Sequence, residues 1–515
     1  MSVPLTVSPS EAMQAGNILG QLHAQGVQVT SLRADSRRLH PGDTFVAYPG
    51  HGGHVDGRQY IPAALASGAG AVLWEREGFA WQPQWQLPNV GVNDLKPLVG
   101  AIASQVYGFP SEPLFMAGVT GTNGKTSVSQ WIAQALTACG RPCGVVGTLG
   151  AHFGAIDTLI PNTTPDAIEL QQLLRKMLDA GAAGCAMEVS SIGLDQARVG
   201  GVAFDCAVFT NFTRDHLDYH GSMAAYEAAK TRLFLAEGLP AAVINLDDPM
   251  GIRLMARTAD RIDRIAYCID GKSPVVELVE DEGRLTASAL KFDASGVRFV
   301  VASDWGHAEV AAPVWGEFNV SNLLAVLGVL MLAGIPLAQA ADALARIKPV
   351  PGRMNALGGD GEPLVVIDYA HTPDALEKAL MSLRPLAESR GGALRVVFGC
   401  GGDRDAGKRP LMGAVAEKCA DTVMLTSDNP RSEAPEAILS QIAQGMAGLH
   451  PVVADRAAAI ARAVGAAAPV DVILVAGKGH EAWQEVAGRK LPFSDHDVAR
   501  TALQDRSSRS RSLPA

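Results

Sequence analysis

Between the apolar run Leu114–Val119 and a helical pattern that opens at Thr126 lies Gly118-Val119-Thr120-Gly121-Thr122-Asn123-Gly124-Lys125-Thr126, which fits GxxxxGK[ST]. That segment constrains the fold more than any other. A glycine-rich turn there ends a buried strand where a helix begins. It lets backbone N–H groups wrap a phosphate, to which the helix N-terminus adds favourable partial charge. Lys125 is placed to neutralise β/γ oxygens, and the Thr126 hydroxyl to reach Mg²⁺. Gly121, Thr122, Asn123, Gly124, Lys125, Thr126 and Ser127 are therefore the expected triphosphate contacts.

The same rhythm of buried strand, polar loop and helix recurs on both sides of the loop. Pro142–Val146, Gly184–Val189, Ala207–Thr210 and Ala241–Asn245 follow it. After the Pro351 turn come Leu364–Ile367, Leu394–Phe398, Thr422–Thr426 and Val472–Ala476. This alternation predicts an α/β protein with largely parallel sheets and ligands at the strand ends. At 515 residues the chain is long enough for several domains. Pro and Ser cluster near Pro110–Pro113. We divide the chain into a small α/β N-terminal domain (1–112), a central P-loop-type domain with a mostly parallel sheet (113–350), a C-terminal Rossmann-like α/β domain (351–503) and a disordered polar tail (504–515).

Composition excludes some functions. Lys and Arg total 43 against 53 Asp and Glu, a net charge of −10, without a basic block of the kind a nucleic-acid binder carries. Leu323–Ala338 is almost wholly apolar, but Gly334 and Pro336 stop it well short of a membrane span, so a buried core helix is expected. The seven scattered cysteines contain no CxxC pair and read as reduced thiols of a cytoplasmic protein. The N-terminus shows no secretory signal pattern.

A phosphate loop alone leaves the reaction open. Glu188, ending the GCAMEV strand beside the loop, reads as a Mg²⁺ ligand. His216 in TRDHLDYH reads as a metal ligand or a core histidine. The TGTNGKTS loop resembles that of the Mur ligases and folylpolyglutamate synthetases. NTTP with MEVSS, NFTRDHLDYHG with AAK, DYAHTPDAL with GCGGDRDAGKRPLMG, and DNPR with GKGHE then resemble the diaminopimelate-adding members of the Mur ligase family, in order from about Asp35 to Glu481. The resemblance implies a monomeric ATP-dependent ligase of peptidoglycan precursor synthesis. It would work through an acyl phosphate, with Lys125, His216 and Lys230 catalytic.

The resemblance also implies two Mg²⁺ ions held by Thr126, Glu188, His216 and Lys230, the last as a CO₂-derived carbamate. Asn319, Asn322, Arg353, Asp368 and His371 complete the ATP site. Ser36, His51, Thr163, Thr164, Ser190, Gln196 and Arg198 would hold the UDP-sugar peptide. One departure is Ile192 in EVSSIGL, where many relatives carry histidine. Diaminopimelate carries a carboxylate and an ammonium at its distal centre, so its pocket needs charges of both signs. Arg409, Asp428, Asn429, Pro430, Arg431, Gly477 and Glu481 are the expected contacts, with the arginines rejecting lysine, which lacks that carboxylate. A P-loop switch or motor is the rival from another class, distinguished by hydrolysis without an amine substrate.

Overall fold

The computed structural model describes residues 8–50, 55–259, 261–272, 283–293, 296–359 and 361–512; His51, expected at the uridine nucleotide, lies outside the described residues. Three sheets follow one another along the chain. The first has four parallel strands in chain order, Leu32–Arg33, Thr44–Ala47, Ala71–Glu75 and Asn89–Val92. Alternate residues point to opposite faces of a strand, and here both faces are covered. Val46, Ala71 and Leu73 pack with Ile18, Leu22 and Ile102 of the flanking helices, while Phe45, Val72 and Trp74 pack with Ile61 and Ala64.

The central sheet has eleven strands. Phe115–Thr120, which feeds the phosphate loop, lies between Cys206–Phe209 and Gly184–Glu188 and is parallel to both. Glu188 therefore ends its strand beside the loop. The polar stretch after residue 265 extends the sheet with Gly283–Asp293, Gly296–Ser303 and Gly306–Ala312 in antiparallel pairing. Helix Glu317–Leu332 holds the apolar run, and within it Leu323, Leu324, Ala325, Val326 and Leu327 are fully buried. Its side chains join Val128 and Ile132 of the phosphate-loop helix in one core, and no described helix is long and apolar enough to cross a membrane.

The third sheet has the order Asn355–Gly358, Leu364–Asp368, Val472–Ala476, Leu394–Phe398, Thr422–Leu425, parallel except for its first strand. One expectation is corrected here. The tail from 504 is not irregular through its described part, because helix Asp495–Ser512 runs into it. Ala499, Ala502 and Leu503 bury with Ile460 and Val464, and Arg506 donates to the carbonyls of Val464 and Gly465. Those contacts anchor a segment whose composition reads as unstructured.

Candidate active site

The phosphate loop spans the end of strand Phe115–Thr120 and the start of helix Lys125–Ala138. Its glycines are required by close approach. Gly121 has φ +149°, and a Cβ there would collide with the Thr210 hydroxyl; one on Gly124 (φ +86°) would stand 2.5 Å from Asn322 Oδ1. Gly121→Ala is therefore expected to weaken nucleotide binding about tenfold or more, since such backbone strain costs about 1–3 kcal/mol. Calorimetric titration with ATP checks this; wild-type affinity would show that the loop tolerates the side chain.

Cations converge on this loop. Lys125 Nζ donates to the carbonyls of Gly121 (2.9 Å) and Thr122 (2.8 Å). Lys230 Nζ donates to the same Gly121 carbonyl at 2.7 Å and lies 4.6 Å from the centre of the Tyr226 ring. Read as a helix-surface lysine, Lys230 would be solvated, yet it is only 1% exposed. Burial, and then the neighbouring Lys125, hold its amine well below the usual lysine pKa. Burial likewise lowers Lys125. His216, at φ +52°, is brought down to about 4 chiefly by burial, so its imidazole is neutral near pH 7 with a lone pair to give.

Glu188 collects donors opposite these cations. Its carboxylate accepts from Thr126 Oγ1 (3.1 Å), Thr148 N (2.7 Å) and Thr148 Oγ1 (3.1 Å). Thr126 Oγ1 in turn accepts from Arg353 Nη2 at 2.9 Å. A guanidinium from the third segment thus touches the phosphate loop of the second, and it stacks 4.4 Å from the centre of the Tyr369 ring. Asn123 Nδ2 reaches Asp374 (3.1 Å), and Arg214 pairs with Asp405 (3.0 Å) across the same seam.

Asp215 draws two of the expected histidines and a lysine into a further junction. Buried Asp215 faces His216 (3.5 Å), His371 (3.6 Å) and Lys408 (3.8 Å). Burial would raise its carboxyl, but these neighbours hold it well below the usual range. Lys408 gave no sequence signal beyond its place in GCGGDRDAGK. Asn319 and Asn322 lie buried in the first turns of helix Glu317–Leu332, hydrogen-bonded to each other at 3.1 Å, with Asn322 facing Gly124. Asp368 is occupied locally, accepting from Met354 N (2.9 Å) and Ala370 N (2.8 Å), which fixes the turn carrying Arg353. Ser127 is buried in the first turn of the loop helix.

On the side facing the N-terminal sheet, Thr164 Oγ1 donates to the Glu188 carbonyl (2.9 Å) and pairs with Ser190 Oγ (3.0 Å), which caps helix Ser191–Asp195. Arg198 donates to the Thr164 carbonyl and to Gln196 Oε1, and Thr163 meets Thr148 through hydroxyls 3.1 Å apart. These five expected residues form one cluster, tied to Glu188 by Thr164. Ser36 lies in a short turn, Ser36–Arg38, that Asp35 caps in the first segment. Lys96 is a neighbour the sequence did not single out; burial, with Arg198 close by, lowers its amine.

The third sheet gathers most of the expected amine contacts. Asn429 Nδ2 donates to Glu481 Oε2 (2.7 Å), and Arg431 Nη1 donates to the Gly402 carbonyl (2.7 Å). A Cβ on Gly477 would collide with Asp428 Oδ2, and one on Gly402 with the Pro430 carbonyl oxygen. Arg409 is the correction. Its guanidinium forks onto both Glu433 oxygens (2.8 Å each), with Gln441 and the Gly401 carbonyl beyond, and it is 1% exposed. Its charge is spent inside the fold. The exposed arginine beside Arg431 is Arg404: a Cβ on Gly401 would meet Arg431 Nη1 at 2.8 Å and Arg404 Cγ at 3.7 Å. Both Arg404 and Arg409 occupy one run, GGDRDAGKR, and only burial tells them apart.

Comparison with known proteins covers the whole layout. Residues 28–107 match the model "Mur ligase family, catalytic domain", residues 119–330 "Mur ligase middle domain", and residues 352–479 "Mur ligase, glutamate ligase domain". The chain is 51% identical over 484 residues to the UDP-N-acetylmuramoyl-L-alanyl-D-glutamate--2,6-diaminopimelate ligase of Chromobacterium violaceum, covering 94% of this chain and 96% of that one. It is 47% identical to the enzyme of the same name from Neisseria meningitidis serogroup B, covering 98% and 99%. A solved structure of a ligase of that name aligns with TM-score 0.63 at 35% identity over 93% of this chain and 95% of that one. MurF from Acinetobacter baumannii, at 17% identity and TM-score 0.66 over 98% and 99%, shares the fold.

Proposed function

The chain belongs to the Mur ligase family, and on that footing we propose that it is the ATP-dependent ligase that joins meso-2,6-diaminopimelate to UDP-N-acetylmuramoyl-L-alanyl-D-glutamate in peptidoglycan precursor synthesis. The observation that carries the reading is the Arg353–Thr126–Glu188 chain of hydrogen bonds, which joins the amine-side domain to the phosphate loop. The D-Glu side-chain carboxylate takes the γ-phosphoryl group of ATP and becomes an acyl phosphate, with ADP as leaving group. The amine of diaminopimelate attacks that carbonyl carbon and loses a proton. The tetrahedral intermediate then expels phosphate and leaves the amide.

The protein's part is positioning and charge. Lys125 turns from its loop carbonyls to the β/γ oxygens, and Arg353 adds a second cation from across the seam. Contact between the two domains excludes water from the acyl phosphate. Mg²⁺, bound with ATP, would screen the phosphate oxygens, and the donor set suits it: the Thr126 hydroxyl, the Glu188 carboxylate and the neutral His216 imidazole. Lys230 fits the carbamate reading. Burial lowers the pKa of this amine and so favours its neutral, nucleophilic form; forming the N–C bond with CO₂ and losing a proton gives an anion where two lysine amines share one carbonyl. Among the polar groups beside Glu188, the Thr163, Thr164, Ser190, Gln196 and Arg198 cluster is the place for the UDP-linked peptide, with Ser36 toward the uridine end. We take the protein to act as a monomer in the cytoplasm, a compartment in which its free, mostly buried thiols stay reduced.

In the amine pocket, Arg404 takes the place assigned to Arg409 and joins Arg431 on the distal carboxylate, while Glu481 receives the distal ammonium. Arg431→Ala is expected to raise the KM for diaminopimelate about tenfold or more and leave that for ATP within about twofold. Equal changes in both would remove Arg431 from amine selection. Arg409→Ala is expected to act on stability instead, costing about 2 kcal/mol by leaving Glu433 and Gln441 without their donor, read from denaturant unfolding. The whole reading is tested by ADP release with the UDP-dipeptide and diaminopimelate, L-lysine or no amine. Release at one rate in all three would make the protein a hydrolase; lysine matching diaminopimelate would overturn the amine assignment.

A further inference from the structure

Lys478 is 0% exposed and lies in the GKGHE loop, where the sequence points to roles only for its neighbours Gly477 and Glu481. Its Nζ donates to Glu481 Oε2 at 2.7 Å and to Asn429 Oδ1 at 2.9 Å, and Asn429 Nδ2 closes the triangle on the same Glu481 oxygen at 2.7 Å. The Asn429 carboxamide is oriented by the Glu485 amide, which donates to its Oδ1 at 2.9 Å. A second buried cation close by, Arg456, is committed to Asp495 through a fork of 2.7 and 2.8 Å. Among the described residues, Lys478 is therefore the charged donor that touches Glu481.

We propose that Lys478 is a specificity-determining residue that cancels the charge of Glu481 and so makes the pocket prefer an amine whose distal end is zwitterionic. The proposal rests on the amine site described above. The distal end of diaminopimelate carries one ammonium and one carboxylate and has no net charge; that of lysine carries an ammonium alone. With Lys478 present, Glu481 offers a fixed acceptor without adding net negative charge, and Arg404 together with Arg431, which stands 3.5 Å from Glu485, supplies the cations for a carboxylate. Without Lys478, the pocket gains one unit of negative charge from Glu481 beside Asp428 and Glu485. That charge repels the distal carboxylate and attracts a lone ammonium. The difference acts on the choice between amines, and neither ATP nor the UDP-linked substrate meets it.

The test compares kcat/KM for meso-diaminopimelate and L-lysine in the wild-type protein and in Lys478→Met. The wild-type protein must first show the requirement for diaminopimelate; failure at that step counts against the amine site itself. Given that requirement, the variant is expected to lower the diaminopimelate-to-lysine ratio about tenfold or more, with KM for ATP and for the UDP-dipeptide within about twofold. An unchanged ratio, or an equal loss with every substrate, overturns the proposal. If Lys478→Met does not yield folded protein, Lys478→Met combined with Glu481→Gln removes both charges together and decides the point. That pair is expected to keep the wild-type order of preference, and a reversal toward lysine overturns the proposal.

Discussion

Lys125→Ala is expected to cut amine-dependent ADP release about a thousandfold or more, because preorganised cations on a transferring phosphoryl group supply several kcal/mol to the barrier. In the structure the ammonium is held by the Gly121 and Thr122 carbonyls and depressed by burial, with Arg353 a lesser cause. An anionic triphosphate opposes that lowering, because a nearby negative charge favours the ammonium. The measurement is phosphate and ADP release with both co-substrates saturating. Thermal unfolding without nucleotide should change little, since the side chain's partners are carbonyls of its own loop. A variant that turns over within about tenfold of wild type would show that the loop lysine does not face the transferring group.

Lys230→Arg is expected to lose about as much, even though it keeps a positive charge. Arginine stays protonated and cannot form the carbamate, and its fork does not fit the space of one ammonium between Gly121 and the Tyr226 ring. A buried cation made permanent beside Lys125 opposes the site's need for a negative group. The wild-type protein incubated with ¹³C-bicarbonate should show a carbamate carbon signal that Lys230→Arg lacks. Full activity in the arginine variant would show that a cation suffices at this position and would remove the carbamate from the mechanism. Retained activity without the signal in wild type would do the same.

These two lysines show how far each kind of reading reaches. Lys125 was legible because a phosphate loop is a local device: a strand, a tight turn and a helix start within a short stretch of chain, each with its own residue preference. Glu188 was legible for a related reason, since a strand-end acid beside that loop is placed by sheet order. Lys230 was not, because nothing in YEAAK says which helix face turns inward; its role rested on resemblance until the fold buried it at 1% exposure. Arg409 failed in the opposite direction. Its spacing fits a ligand loop, but Glu433, 24 residues away, takes both arms of its guanidinium. The tail after 504 failed because the Val464 and Gly465 carbonyls that hold Arg506 are likewise distant in the chain.

Taken alone, the amino-acid order determined the α/β rhythm, the phosphate loop and the types of charge that a carboxylate, an amine and a triphosphate require, because those follow from neighbours within a turn or a strand. The tertiary structure alone decided which of the many charges face a ligand and which face one another. Asp215 meets His371 and Lys408 from the third domain, and Lys478 meets Asn429, 49 residues away in the chain. The cause is physical: burial and ion pairing depend on what the remote chain brings within a few ångströms, and at those distances a charge is either cancelled or left to act.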